Sequence, residues 1–340
     1  MIWLILAAGL ASLLMTAALR RYALSRSLLD IPNARSSHTE PTPRGGGLAF
    51  VVAFLLALSA LGWAGQVAPG LLIGLLGAGG LVAVVGFMDD HGHIAARWRL
   101  LGHFAAAAWG LYWLGGVPPL AVFGVRLELQ WLWVAFGALY LVWLLNLYNF
   151  MDGIDGIASI EAVCVCLGGC VLYWMTGNLQ AICLPLLLAV TVAGFLFWNF
   201  PPARIFMGDA GSGFLGIVLG LLSLQAAWIN PLFFWGWLIL LGVFVVDATF
   251  TLGRRLLRGE RVYEAHRSHA YQYASRYHAS HRPVSMAVAV INLCWLLPVA
   301  VAVVMYDLEG AVGTLVAYVP LTLLAIKYQA GKREDNDRVC

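Results

Sequence analysis

The sequence predicts an all-α integral membrane protein of about eleven transmembrane helices that works at its cytoplasmic surface. Three observations carry this. Of 340 residues, 61% are hydrophobic and 11% charged, whereas soluble domains hold roughly 45–50% apolar and about 25% charged residues. A water-soluble enzyme and a disordered chain are both excluded. The apolar residues also gather into runs close to the ~20 needed to cross hydrocarbon. Finally, the basic residues fall almost entirely into alternate connections between those runs.

In chain order the spans lie at about 1–19, 47–65, 69–88, 99–116, 131–148, 157–177, 179–198, 211–229, 231–252, 284–305 and 309–329. The first has no basic residue ahead of it and Arg20-Arg21 directly behind it. A secretory signal has the reverse order, so this span is expected to stay, with the N-terminus periplasmic. From there 19 of the 20 lysines and arginines occupy one set of connections, and the other set keeps Arg126. Positive charge marks the cytoplasmic side, and an odd number of spans leaves the C-terminus cytoplasmic. All eight histidines fall on or beside the same face. Residues 1–340 read as a single domain without internal repeat, with cytoplasmic loops near 20–46, 89–98, 149–156, 199–210 and 253–283. Cys164, Cys166, Cys170, Cys183 and Cys294 lie in apolar runs and read as packing residues.

Each of five cytoplasmic connections carries a polar cluster. The first ends in Thr42-Pro43-Arg44-Gly45-Gly46-Gly47. An arginine and amides at a helix start suit a phosphate, and a plain Pro/Gly turn reads equally well. The second is Asp89-Asp90-His91-Gly92-His93; adjacent carboxylates at a membrane boundary are costly unless they meet a cation or partner. His93 stands where a DDxxD diphosphate–magnesium motif requires a further acid, which disfavours a soluble-type prenyl synthase. In the third, Asn149 to Gly156, Asn149, Asp152 and Asp155 would share one broad side of a helix. This cluster also matches half of a CDP-alcohol phosphotransferase signature, without the other half. The fourth runs from Asn199 to Phe206-Met207-Gly208-Asp209. Asp209 suits magnesium, which takes one or two carboxylates plus substrate phosphates, and a helix N-cap is compatible with the same residue. The fifth, Glu264 to Gln272, contains His266-Arg267-Ser268-His269. Two histidines three apart admit zinc, but phosphate recognition suits so basic a loop better. Asp247, inside the ninth span, reads as a site acid or as a structural contact.

In their order along the chain these clusters resemble the polyprenyl-phosphate N-acetylhexosamine-1-phosphate transferases, the glycosyltransferase 4 family. The resemblance covers nearly the whole chain. It implies a cytoplasmic cleft among ten or eleven helices, and transfer of an N-acetylated sugar-1-phosphate from a UDP-sugar to undecaprenyl phosphate with release of UMP. Magnesium is the implied cofactor, with manganese as a substitute. The implied catalytic residues are Asp89, Asp90, Asp209, His266 and His269. Asp209 is the implied metal ligand, with the Asp89-Asp90 pair as the alternative. Asp89, with Asp90 beside it, is implied to deprotonate or position the lipid phosphate, and both are expected to serve it across the cleft. Arg44, Gly46, Asn149, Asp152, Asp155, Asn199 and Arg267 are the implied substrate-binding residues. The implied partners are UDP-N-acetylhexosamine, undecaprenyl phosphate and the bilayer of a bacterial inner membrane; a homodimer is compatible, and nucleic acid is not expected. The His-Arg-Ser-His string departs from the three consecutive histidines of the pentapeptide translocases. That points away from peptidoglycan and towards initiation of an O-antigen or similar surface polysaccharide. The alternative is a cation- or proton-coupled transporter, which would place its acids near the midplane of repeated halves rather than at one edge.

Overall fold

A computed structural model describes residues 1–26, 29–32, 40–92, 94–127, 131–260 and 266–333. His38, His93, Glu264 and the side chain of Arg126 lie outside the described residues. The chain runs through α1 (Ile2–Ser25), α2 (Gly47–Trp63), α3 (Pro69–Gly92), α4 (Ala96–Leu114), α5 (Trp131–Met151) and α6 (Ile157–Met175). It continues through α7 (Cys183–Asn199), α8 (Asp209–Ile229), α9 (Pro231–Leu240) and α10 (Gly242–Leu257). The short α11 (Ala270–Tyr277) precedes α12 (Arg282–Ile291), α13 (Leu297–Met305) and α14 (Gly310–Lys327). The strands among the described residues form two small antiparallel pairs, Leu29–Asp30 with Thr42–Pro43 and Leu120–Val122 with Val125–Leu127. Helices dominate because hydrocarbon offers no partner for a backbone amide or carbonyl, and a helix satisfies both internally.

Eight helices among the described residues are long and apolar enough to cross a membrane, or nine if α9 and α10 are one span bent by 70°. The expected eleven is not reached by that measure. The shortfall lies in α2, which has 17 residues, and in α4, which opens on Arg97 and Arg99 and carries His103. Cys166 and Cys183 pack inside as expected, whereas Cys294 is exposed.

The central element is α8, buried almost continuously from Ala210 to Ala227 against α3 and α5. Close approach explains one of its neighbours. A Cβ on Gly86 would come within 2.5–2.6 Å of the backbone of Asp209 and Ala210, so only glycine lets α3 lie this near the start of α8.

The bend between α9 and α10 falls deep in the apolar bundle, where the first amides of α10 lack helical partners. Glu161 of α6 is fully buried close to Phe244 of that turn. Asn292 donates to its carboxyl at 2.6 Å and opens the π-turn Asn292–Leu296 that joins α12 to α13.

The five polar loops assemble at a single end. Arg20 donates to the Arg204 carbonyl, the Gly46 amide to Phe206, and the Tyr271 hydroxyl to Phe150. The Gly331 amide reaches the Ser268 carbonyl at 2.7 Å, tying the turn after α14 to the histidine loop. At the opposite end the Phe123 amide donates to Glu309 at 3.1 Å.

Candidate active site

The end of α3 and the start of α8 build the centre of the site. Asp90 accepts hydrogen bonds from the amides of Asp209 (3.1 Å) and Ala210 (3.3 Å), so a carboxylate occupies the positive end of α8. Gly208 holds a φ of +81°, and a Cβ there would sit 2.7 Å from the Asp90 carboxylate. Glycine is therefore required before Asp209 on both conformational and steric grounds.

Two arginines bind this acid cluster. Arg44 donates to Asp209 at 2.6 Å and pairs with Asp90 at 3.0 Å. Burial opposes the Arg44 charge, but Asp209 and Asp90 outweigh it and raise the guanidinium further above its ordinary value. Arg99 hydrogen-bonds to Asp89 and lies 3.8 Å from Asp209. Asp89 also accepts from the Ile94 amide at 2.8 Å. Asp89, Asp90 and Asp209 thus belong to one network of ion pairs and hydrogen bonds. The pairing follows from Gly86, which brings the two helix ends together. Arg99 read in the sequence only as a marker of sidedness; its signal was a place on the first turn of the helix after the paired acids.

Beside the cluster opens a cavity of about 240 Å³. Arg44, Asn149, Asp152, Asp155, Asn199, Phe206, Asp209 and Gln272 line it. Asp152 makes no side-chain hydrogen bond to a described residue. Burial raises its carboxyl well above the ordinary range; Arg44 opposes the rise, and Asp209 and Asp90 add to it.

Asp155 and Asn199 line the same cavity, yet their polar atoms are committed to the fold. Asp155 accepts from the Ala203 amide at 3.0 Å and contacts His281 at 3.2 Å. Asn199 accepts from the Gly156 amide (3.1 Å) and the Ser159 hydroxyl (3.3 Å), and donates to the Ile205 carbonyl (3.0 Å). Gly46 donates its amide to Phe206 at 2.9 Å, and a Cβ there would meet Phe195 and Ile205 at 2.8–2.9 Å. Its role here is close packing, not an open amide.

The histidine loop lies apart from this cavity. Asp247 accepts from the Ala270 (2.9 Å) and Tyr271 (3.0 Å) amides, the Thr251 hydroxyl (3.1 Å) and His269 Nδ1 (3.3 Å). The intramembrane acid is thus the anchor of α11, which settles its two readings in favour of structure. His269 is 1% exposed, and His266 stacks on it at 4.9 Å. Burial, then His269 and Arg255, lower the His266 imidazole to about 3. Neither histidine lines the cavity, nor does Arg267, whose carbonyl accepts from Arg276 at 3.2 Å. The side chain this segment sends to the cavity is Gln272, one helical turn after His269.

Among the described residues no group of three or more His, Cys, Asp or Glu is placed to hold a metal by itself, so the two histidines find no third zinc ligand. A magnesium site needs less, because substrate phosphates complete it. Asp89, Asp90, Asp152 and Asp209 face Arg44 and Arg99, which leaves the carboxylates in excess. A divalent cation fits that excess, with Asp209 and Asp152 the side chains nearest to open space.

Residues 72–227 match the model of glycosyl transferase family 4, a stretch that holds both acid clusters and ends before the histidine loop. The chain is 31% identical over 292 residues to the "Probable undecaprenyl-phosphate N-acetylglucosaminyl 1-phosphate transferase" of Bacillus subtilis, covering 84% of this chain and 79% of that one. It is 32% identical over 251 residues to the decaprenyl-phosphate N-acetylglucosaminephosphotransferase of Mycolicibacterium smegmatis, covering 65% and 59%. It is 30% identical over 285 residues to the phospho-N-acetylmuramoyl-pentapeptide-transferase of Pelotomaculum thermopropionicum, covering 73% and 82%. The chain belongs to glycosyl transferase family 4 and is a membrane-embedded sugar-phosphate transferase.

Proposed function

We propose that the protein transfers an N-acetylhexosamine-1-phosphate from a UDP-sugar to undecaprenyl phosphate, on the cytoplasmic side of a bacterial inner membrane. An oxygen of the lipid phosphate attacks the sugar-bearing phosphorus of the donor. The bond to the UMP oxygen breaks, and UMP leaves with the electron pair. The product is the undecaprenyl-diphosphate sugar that starts an O-antigen or a similar surface polysaccharide. The observation that carries this reading is the arginine-bound carboxylate cluster on the wall of a 240 Å³ polar cavity, at the end where the apolar helices stop.

Magnesium, held by Asp209 with Asp152 beside it, would neutralise diphosphate charge and align the attack. Arg44 reaches both Asp209 and Asp90 and offers donors to phosphate oxygens as charge moves towards UMP. Asp90 fixes the start of α8 and with it the direction of Asp209. Asp89, tied to Arg99 and Ile94, orients that arginine towards the incoming lipid phosphate. Asn149 and Gln272 supply neutral polar groups to the donor. The transporter alternative gains no support from the family or from these relatives. Purified protein with undecaprenyl phosphate and a panel of UDP-sugars, scored for UMP, tests the proposal. Magnesium-dependent UMP release that requires both substrates is expected; uptake of solute into proteoliposomes without UMP would overturn it.

A further inference from the structure

A second, smaller cavity lies on the other side of Asp209. It measures about 30 Å³, and its polar lining is Asp89, Arg99, His103, Asn146, Asn149 and Asp209. Asn149 and Asp209 line the larger cavity too, so these two side chains form the partition between the two spaces. His103 lies one turn after Arg99 on α4, and its Nδ1 is buried with no hydrogen-bond partner among the described residues. Buried polar atoms are normally paired, so this nitrogen calls for a ligand.

Size decides the class of ligand. One water needs about 10–15 Å³ of such space, so 30 Å³ admits two oxygen-sized groups and no ring. Uridine and sugar are excluded, whereas the oxygens of a phosphate monoester fit. The surroundings choose between sources of phosphate. On the same helix Trp98, Leu100 and Leu101 are 58%, 46% and 59% exposed. A large apolar surface next to a polar pocket suits a group that brings a hydrocarbon chain with it.

We propose that His103 is a positioning residue for the acceptor: its Nδ1–H donates to an oxygen of the phosphate of the polyprenyl phosphate, two of whose oxygens enter this small cavity. This rests on the transfer reaction proposed above. Donor and acceptor then reach the Asp209–Asn149 partition from opposite sides. That arrangement keeps two anionic substrates apart until the attacking oxygen meets phosphorus.

The test compares wild type, His103→Ala and His103→Asn, the last keeping a polar donor near the Nδ1 position. Binding of farnesyl phosphate and of farnesol is measured by calorimetry in detergent, alongside KM for undecaprenyl phosphate and for the UDP-sugar. His103→Ala is expected to weaken farnesyl phosphate binding and raise the acceptor KM by about tenfold, the loss of one hydrogen bond to an ionised group. Farnesol binding and donor KM should change by less than about twofold, and His103→Asn should recover most of the loss. If His103→Ala does not fold, His103→Leu takes its place with the same expectation. Unchanged farnesyl phosphate binding, or equal losses for farnesol and donor, overturns the proposal. The binding arm does not depend on turnover, so absence of transfer from every UDP-sugar would count against the reaction and not against this subsite.

Discussion

Asp209 gathers more of the chemistry than any other side chain, since Arg44, Arg99 and both cavities converge on it. Asp209→Asn keeps the shape and removes the charge. It should lower transfer by about a hundredfold or more, the scale of losing one electrostatic contact to the transition state, together with magnesium-dependent donor binding measured by calorimetry. Asp89→Asn should lose transfer yet keep that binding, because Asp89 is engaged by Arg99 and Ile94 outside the donor cavity. The reverse pair of results would give the metal to the paired acids. His266 carries a pH dependence with a definite sign. Its imidazole is held at about 3 in the folded loop, mainly by burial, against about 6.5 when released. The released loop therefore takes up the proton first. Loop order is full above about pH 6.5 and is lost progressively towards about 3. Hydrogen exchange of residues 266–277, corrected for intrinsic rates, should be faster at about pH 5 than at about pH 7.5, and His266→Gln should remove most of that difference. The acids were legible in the sequence because a carboxylate among apolar runs is costly and stays only where a cation or a donor meets it. Arg99 and His103 were not, since an arginine or histidine near a helix start on the basic face already has a reason to be there.

At the scale of elements, the long apolar runs marked the helices to within a few residues, because hydrocarbon thickness sets their length. The irregularities stayed hidden. The bend after Leu240 lies in an unbroken apolar stretch, and Glu161, about eighty residues away in sequence, is buried close to it. Glu161→Leu leaves the Asn292 side-chain amide without its carboxylate acceptor. Thermal unfolding in detergent should show a loss of about 1–3 kcal/mol, the cost of one stranded buried group, while Glu161→Gln should lose clearly less. Asp247 works in the same way for α11, whose eight residues are too few to hold a helix unaided. Asp247→Leu should free the segment, raise donor KM through displacement of Gln272 and leave acceptor KM nearly unchanged. Equal changes in both constants would detach α11 from the donor cavity. The sequence showed Asp247 as an acid out of place; two of its partners, the amides of Ala270 and Tyr271, carry no side-chain signal at all.

For the whole molecule, the alternation of basic and bland connections announced that one end would hold the site, and the loop-to-loop hydrogen bonds do meet at one end. In a background without native cysteines, Gly92→Cys and Ser280→Cys should react with an impermeant thiol reagent from the cytoplasmic side, and Phe123→Cys from the opposite side. All three positions are exposed in the fold. Labelling of residues 92 and 280 from different sides would dismantle the site. What composition could not convey is the division of the interior. The middle of the bundle is filled by α8, buried and almost wholly apolar over its length, while both cavities that meet at Asp209 stay at the end where that helix begins. The bundle is thus a one-sided workbench. On the proposed reaction, acceptor and product headgroups meet the protein at that end, and the packed length of α8 lies between them and the other. The lipid-linked sugar is then released to the face of the membrane on which its donor arrived.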